Sequence, residues 1–581
     1  MGKRIRLKQE FLLVSASIQD IIMHYLKNHP DLSAFGDKVR IQINDTHPSL
    51  VIAELMRLLT KQYDFGWHEA WETVQTVCSY SNHTILQESL EEWNQNRLDY
   101  LLPRQYKIIQ QLNLELCNSV RAQYPGDEER VRRMSCIENG QCRMANFAIY
   151  GSHKVNGVAA LHTEILKKSL FKDFYEMYPD RFVNVTNGVT QRRWILHANP
   201  RLADWICKRI GKGWITHFPE IGKLAHYAKD PVSQQEFLQI KKENKQELIA
   251  YLREKNPLRD AQGKVFSHSP SLDEDALFAV QIKRIHEYKR QLMHALHIIM
   301  IYHELQANPF SRKVKRMVIF AGKAAPGYAM AKNIIQLISC ISRRINLDSA
   351  VRNMLKVAFI ENYNVTRAEK IIPAADLSEQ ISTAGTEASG TGNMKLSMNG
   401  ALTICTEDGS NVEVRQEVTD QFWPFSFGAH SLQNEEAWRR GGYNPWDVYM
   451  HNPSIAKAVD ALRDRSLAFN DTEHEALCQI YHSLLEKGSS DMADKYFVLN
   501  DLPAYYQMQK KVEELYANPS LWAEYAIQNM AGMGKFSSDE AAHNYARLIW
   551  DLKPCPMDPQ ELASVRNVYS EHDKCRIKQC S

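Results

Sequence analysis

The 581-residue chain carries 71 Lys and Arg against 68 Asp and Glu, a net charge of +3 that leaves no excess for a dedicated nucleic-acid surface. Hydrophobic residues at 44% and charged residues at 24% describe a globular protein with several domains and a large buried core. The 11 cysteines are scattered and no pair has metal-ligand spacing, so reduced thiols in a cytoplasmic protein are expected, and no metal site.

At the N-terminus, Lys3-Arg4-Ile5-Arg6-Leu7-Lys8 has the charge of a signal peptide. The apolar run after it is short, Gln9 and Glu10 interrupt it, and an amphipathic pattern continues through Ile18, Ile21, Ile22 and Tyr25. A helix is predicted there, not a targeting segment, and no stretch reaches membrane-spanning length. Residues 1–180 read as mostly helical, with periodic runs at 50–59 and 161–178 and one strand-like segment at 39–43. A turn rich in Asn, Thr and Gly within 183–194 leads into helical segments near 199–211 and 231–254.

From about residue 275 the pattern alternates. Apolar runs at 276–281, 316–320, 357–360 and 401–405 are separated or followed by helical stretches at 288–304, 328–345 and 432–440. Such alternation predicts a parallel sheet covered by helices, which binds ligands outside the carboxyl ends of its strands. Lys283-Arg284 follows one of these strands, and a Gly322–Gly327 turn follows another. The last long helix is predicted at 540–552.

Five segments carry candidate chemistry. Residues 387–399 read Glu-Ala-Ser-Gly-Thr-Gly-Asn-Met-Lys-Leu-Ser-Met-Asn. A turn of Ser389, Gly390, Thr391, Gly392 and Asn393 leaves backbone N–H groups uncovered, a nest that favours an anion. Lys395, just beyond it, is either a phosphate ligand or the amine that attaches pyridoxal phosphate; a surface loop ending in a solvated lysine is the plain alternative. Lys283-Arg284-Ile285-His286-Glu287-Tyr288-Lys289-Arg290 offers Arg and Lys for phosphate, against a solvated basic face. Helical spacing does not put Lys283 and Lys289 on one face. Asn44-Asp45-Thr46-His47-Pro48 and Ser81-Asn82-His83-Thr84 are polar turns, and Thr186-Asn187-Gly188-Val189 precedes Arg192-Arg193-Trp194.

The thirteen residues 387–399 match without mismatch the pyridoxal-phosphate attachment motif of the α-glucan phosphorylases (glycogen, starch and maltodextrin phosphorylases), and the chain resembles that family from residue 3 to about 552. The resemblance implies an α/β fold of two-domain GT-B glycosyltransferase type with Rossmann-like parallel sheets. A partial first domain (1–186), a second domain (187–552) and a tail (553–581) are expected, with the catalytic cleft between the domains. It implies reversible phosphorolysis of terminal α-1,4-linked glucose, with an α-1,4-glucan and inorganic phosphate as partners and pyridoxal 5'-phosphate as cofactor.

By the same resemblance Lys395 attaches the cofactor, Lys283 and Lys289 hold its phosphate, and Arg284 with Lys289 takes the substrate phosphate. Trp194, Tyr363, Gly390, Thr391 and Gly392 surround the cofactor. His83, Asn187, Glu387, Ala388, Ser389 and Gly390 meet the sugar, with Asp45 and His47 close behind His83.

Members of the family are longer at the N-terminus, so the chain is expected to begin inside the first domain. That would remove a Gly-rich phosphate contact, the regulatory phosphorylation and nucleotide sites, and much of a homodimer contact. A catalytically inactive fragment that binds cofactor or glucan without turnover is the alternative. Gln87 and Gln191 stand where the family has Pro, and Asn364 replaces a common Arg; altered loop stiffness is expected there.

Overall fold

The computed structural model describes residues 2–255, 273–351, 354–487 and 492–567. Internal packing divides the chain into two units, Met1–Thr186 with Ala542–Pro554, and Asn187–Ala541 with Cys555–Ser581. Among the described residues, no helix is long and apolar enough to cross a membrane.

In the first unit the predicted N-terminal helix forms as Gly2–Leu26 and buries Leu7, Val14, Ile18, Ile22 and Tyr25, one stripe at helical spacing. Ile5, Leu12, Leu13 and Met23 lie exposed on its other face. Four parallel strands, β1 (Ile41–Asn44), β2 (Cys78–Ser81), β3 (Lys154–Gly157) and β4 (Phe182–Asn184), pair in that order. Only β1 stands out in the sequence, because the others are short and carry polar residues on both faces.

The predicted last helix is shorter than its pattern. It runs over Ser538–Tyr545 and loosens into a wide turn at Ala546–Trp550. Residues 542–554 pack with the first unit: Tyr545 meets Ser81 at 3.0 Å, Trp550 donates to Gln42 at 2.9 Å, and His153 reaches the carbonyl of Ile549 at 2.9 Å.

The second unit holds a five-stranded parallel sheet of β5 (Leu277–Ile282), β6 (Arg316–Ala321), β7 (Leu355–Ile360), β8 (Leu377–Gln380) and β9 (Leu402–Cys405). Their order is β7-β6-β5-β8-β9, so the winding reverses between β5 and β8. Crevices at such reversals, outside the carboxyl ends of the strands, are where open parallel sheets take ligands. Four of the five strands are the predicted ones. β8 escapes a hydrophobic reading because Ser378, Glu379 and Gln380 are polar yet buried, and Glu379 is held by Tyr505 and Gln509 at 2.8 Å each. Helix Gln291–Ala307 packs on the sheet and is buried almost all round, from Leu292 through Tyr302.

Candidate active site

Lys283 leaves the carboxyl end of β5, and its Nζ donates to Gln380 Oε1 at the end of β8, 2.8 Å away. It therefore stands at the reversal point. The chain then makes a tight turn at Glu287–Lys289 and passes through a left-handed Arg290 (φ 56°). Arg290 is fully buried: its Nη1 lies 2.7 Å from Asp501, and its Nε donates to the Ile381 carbonyl at 2.7 Å. Anchoring Arg290 inward swings Lys289 back toward Lys283. Both ammonium groups converge on Glu387 Oε2, Lys289 at 2.6 Å and Lys283 at 3.7 Å. Helical spacing could not foresee this, because the segment is not a helix until Gln291.

Burial acts to raise the Glu387 carboxyl, but the charges of Lys289 and Lys283 override it and hold the group at about 2. Burial pushes Lys283 down to about 8, with Glu387 pulling the other way. Lys289 is opposed by burial too, yet its closer contact with Glu387 carries it above the usual lysine range.

Lys395 lies on the short helix Gly392–Met398. Its Nζ sits 4.4 Å from the centre of the Trp194 ring, and burial lowers its pKa. Among the described residues this side-chain amine has no hydrogen bond or ion pair. Asn399 ties the two elements together, donating to the Trp194 carbonyl at 2.7 Å and the Lys395 carbonyl at 3.0 Å. The preceding turn has Gly390 in a left-handed conformation (φ 74°), and the amides of Ala388, Ser389, Gly390 and Thr391 donate to no protein acceptor among the described residues. An amine shifted toward its free-base form beside an aromatic face, in a unit that also holds open amides and a pair of cations, fits a flat aldehyde that carries a phosphate.

Tyr363 is half-buried, and burial pushes its hydroxyl up to about 12. Asn187 is half-buried; Arg284 is exposed and makes no side-chain bond among the described residues. The changed loop residues are supported by hydrogen bonds. Gln191 is fully buried and donates to the Ile215 carbonyl at 2.9 Å, and Asn364 caps the helix Val365–Ile371.

In the first unit, the ends of β1 and β2 carry the remaining candidates. His83 Nε2 donates to Asn44 Oδ1 at 2.6 Å, and Asp45 is left-handed (φ 61°). His47 lies 3.9 Å from Asp45, 3.3 Å from Glu91 and 3.0 Å from Arg6. Its pKa is raised, chiefly by the bond to Glu91. Glu10, His47 and Glu91 bring their donor atoms within 4.8 Å of one another, the spacing a metal ion would require. Arg6, 2.9 Å from Glu10, already supplies positive charge to that group.

His162 is a residue that sequence reasoning passes over. It is fully buried; its Nδ1 accepts the Val158 N–H at 3.1 Å, which leaves Nε2–H to donate to Asn82 at 3.1 Å. It thereby fixes the turn that presents His83. Burial pushes it down to about 4. His162→Ala is expected to cost about 3 kcal/mol at pH 7 through lost bonds and a cavity. The parent should lose part of that advantage as pH falls from about 6.5 to about 4, where the unfolded chain takes the proton first. Urea melts of both proteins at pH 7 and pH 5 measure the difference.

The family model for carbohydrate phosphorylases matches residues 1–552. The chain belongs to the carbohydrate phosphorylase family. Muscle glycogen phosphorylase of Mus musculus is 44% identical over 564 residues, covering 95% of this chain and 64% of that relative. The brain form of Homo sapiens has the same identity and coverage. The chain thus spans less than two thirds of the length of these relatives. The parallel-sheet α/β fold described above is that of the GT-B-type carbohydrate phosphorylases.

Proposed function

We propose that this chain acts as an α-1,4-glucan phosphorylase, converting terminal α-1,4-linked glucose and inorganic phosphate reversibly to glucose-1-phosphate and a shortened glucan. The observation that carries the reading is the convergence of Lys283 and Lys289 at the reversal point of the sheet, in a unit that also presents the unpaired, burial-shifted Lys395. Membership of the family supports it.

Lys395 would attach pyridoxal phosphate, with Trp194 and Tyr363 against its ring and Gly390, Thr391 and Gly392 alongside. The phosphate group of pyridoxal phosphate supplies a proton and charge partner for the substrate phosphate. Two phosphates close together repel strongly where water is scarce, so Lys283, Lys289 and the unpaired Arg284 neutralise them. Lys289 must then share its charge between Glu387 and phosphate. The amides of Ala388 and Ser389, with Glu387 and Asn187, orient the glucose hydroxyls. In the first unit, His83 is the group assigned to the glucan, with Asp45 and His47 behind it. The substrate phosphate donates its proton to the glycosidic oxygen as an oxocarbenium-like sugar forms, and the anomeric configuration is retained.

The same reading makes the protein cytoplasmic, with its homodimer contact weakened and with no nucleic acid or membrane as partner. The test is release of glucose-1-phosphate from maltodextrin by protein loaded with pyridoxal phosphate, with and without inorganic phosphate. Phosphate-dependent release supports the reading. Cofactor held at Lys395 with no release would instead leave a binding pocket without turnover.

A further inference from the structure

Behind Glu387 lies a second carboxylate to which the mechanism above gives no task. Asp408 follows β9 and is 1% exposed. Its Oδ1 accepts the N–H groups of Gly385 at 3.0 Å and Gly409 at 2.9 Å. Its Oδ2 accepts those of Thr386 at 3.2 Å and Glu387 at 2.8 Å. Three successive amides on one carboxylate make an anion nest filled by the protein's own side chain.

The next residues of the same turn grip the other end of the loop. Ser410 donates to the Ser389 carbonyl from its N–H at 2.9 Å and its hydroxyl at 2.8 Å. Asn393 donates to Ser410 and Asn411 at 2.9 Å each. Gly409 is left-handed (φ +53°), and a Cβ there would lie 2.5 Å from the Ser389 carbonyl oxygen, so only glycine lets the two turns approach this closely.

Loop packing alone is a poor account of this arrangement. A buried carboxylate beside the like-charged Glu387 is costly to desolvate, and an apolar side chain would fill the space without that cost. What the carboxylate adds is a fixed direction for three amides. The Glu387 side chain is thereby aimed at Lys289, while the amides from Ala388 to Thr391 stay open.

We propose that Asp408 is a positioning residue that holds Glu387 and the open amides after it in the orientation that binds glucose hydroxyls. The inference rests on the assignment of Glu387, Ala388 and Ser389 to the sugar.

The experiment compares the parent chain and Asp408→Asn, both loaded with pyridoxal phosphate. Three quantities are read: glucose affinity by calorimetry, inorganic phosphate affinity, and the pyridoxyl group fixed at Lys395 by borohydride. The expected result is a loss of about tenfold or more in glucose affinity, the size of one misplaced hydrogen-bond set, with the other two unchanged. A purely structural role would lower all three in step, and that result overturns the proposal. So does glucose binding as tight as the parent's. If the parent itself binds no glucose, the sugar assignment fails and the clamp fails with it. Should Asp408→Asn not fold, Ser410→Ala carries the test: a selective loss of about threefold is expected, and unchanged glucose affinity overturns the proposal.

Discussion

Lys395→Ala should take up no covalent pyridoxal phosphate and should show no phosphate-dependent release of glucose-1-phosphate above background. The side chain of this lysine makes no hydrogen bond or ion pair among the described residues, and its Nζ lies 4.4 Å from the centre of the Trp194 ring. Removing it relieves a partly desolvated ammonium and forfeits a cation–π contact, so stability of the cofactor-free protein should change by no more than about 1 kcal/mol. That contrast makes the variant informative. Loss of function through unfolding would appear as a lowered melting temperature, whereas loss of the attachment amine leaves the melt in place. Mass spectrometry after borohydride reduction, run beside thermal melts, separates the two.

Lys289→Met should be more damaging to the fold. It leaves the Glu387 carboxylate with Lys283 at 3.7 Å as its remaining cation, in a pocket where Glu387 is 16% exposed. Breaking a buried pair by removing one partner costs about 3–5 kcal/mol, and this pair is the tighter of the two that Glu387 makes. The pH dependence follows from the sign of the shift. Glu387 is held at about 2, below the ordinary glutamate value, so its contribution is complete above about 4.5 and is lost as pH falls toward 2. In Lys289→Met the carboxyl should titrate at higher pH, and the acid limb of the stability curve should move up with it. Denaturant melts between pH 3 and pH 7 read both effects. Phosphate affinity should fall as well, since the same ammonium is assigned to the phosphates.

The fold was legible in the sequence where strands bury apolar side chains in a row. Residues 276–281, 316–320, 357–360 and 401–405 announce four of the five strands in the second unit because parallel strands covered on both faces carry continuous Val, Ile and Phe. Leu377–Gln380 was not legible, because its burial depends on partners far along the chain, Tyr505 and Gln509, that satisfy Glu379. In the first unit β2 and β3 were hidden for a similar reason: Ser81 and Asn156 are buried against each other at 2.7 Å and against Tyr545.

At the site, the Gly-rich run before Lys395 spoke for itself through the open amides it creates. Lys283 and Lys289 could be picked as phosphate candidates, but not as a converging pair. Their approach depends on a left-handed Arg290 drawn inward by Asp501, more than two hundred positions along the chain. Asp408, Asn399 and His162 left weaker traces. The run Asp408-Gly409-Ser410-Asn411 has turn chemistry at the carboxyl end of an apolar strand, a signal that a closer reading could have used. Nothing local marks His162 or Asn399, whose roles arise only when distant carbonyls and amides meet.

The place of β8 between β5 and β9 ties the pocket to the integrity of the sheet. Lys283 follows β5, whereas Gln380 ends β8 and Glu387 and Lys395 follow it, so the four meet only when β8 is paired. Opening that strand would scatter the pocket. Occupancy and unfolding are therefore linked equilibria in this protein: a molecule bridging these side chains acts as a splint across the middle of the sheet. At a hundredfold excess over its dissociation constant such a splint adds about 2.7 kcal/mol, so loaded protein should resist heat and protease at concentrations that the empty protein cannot survive.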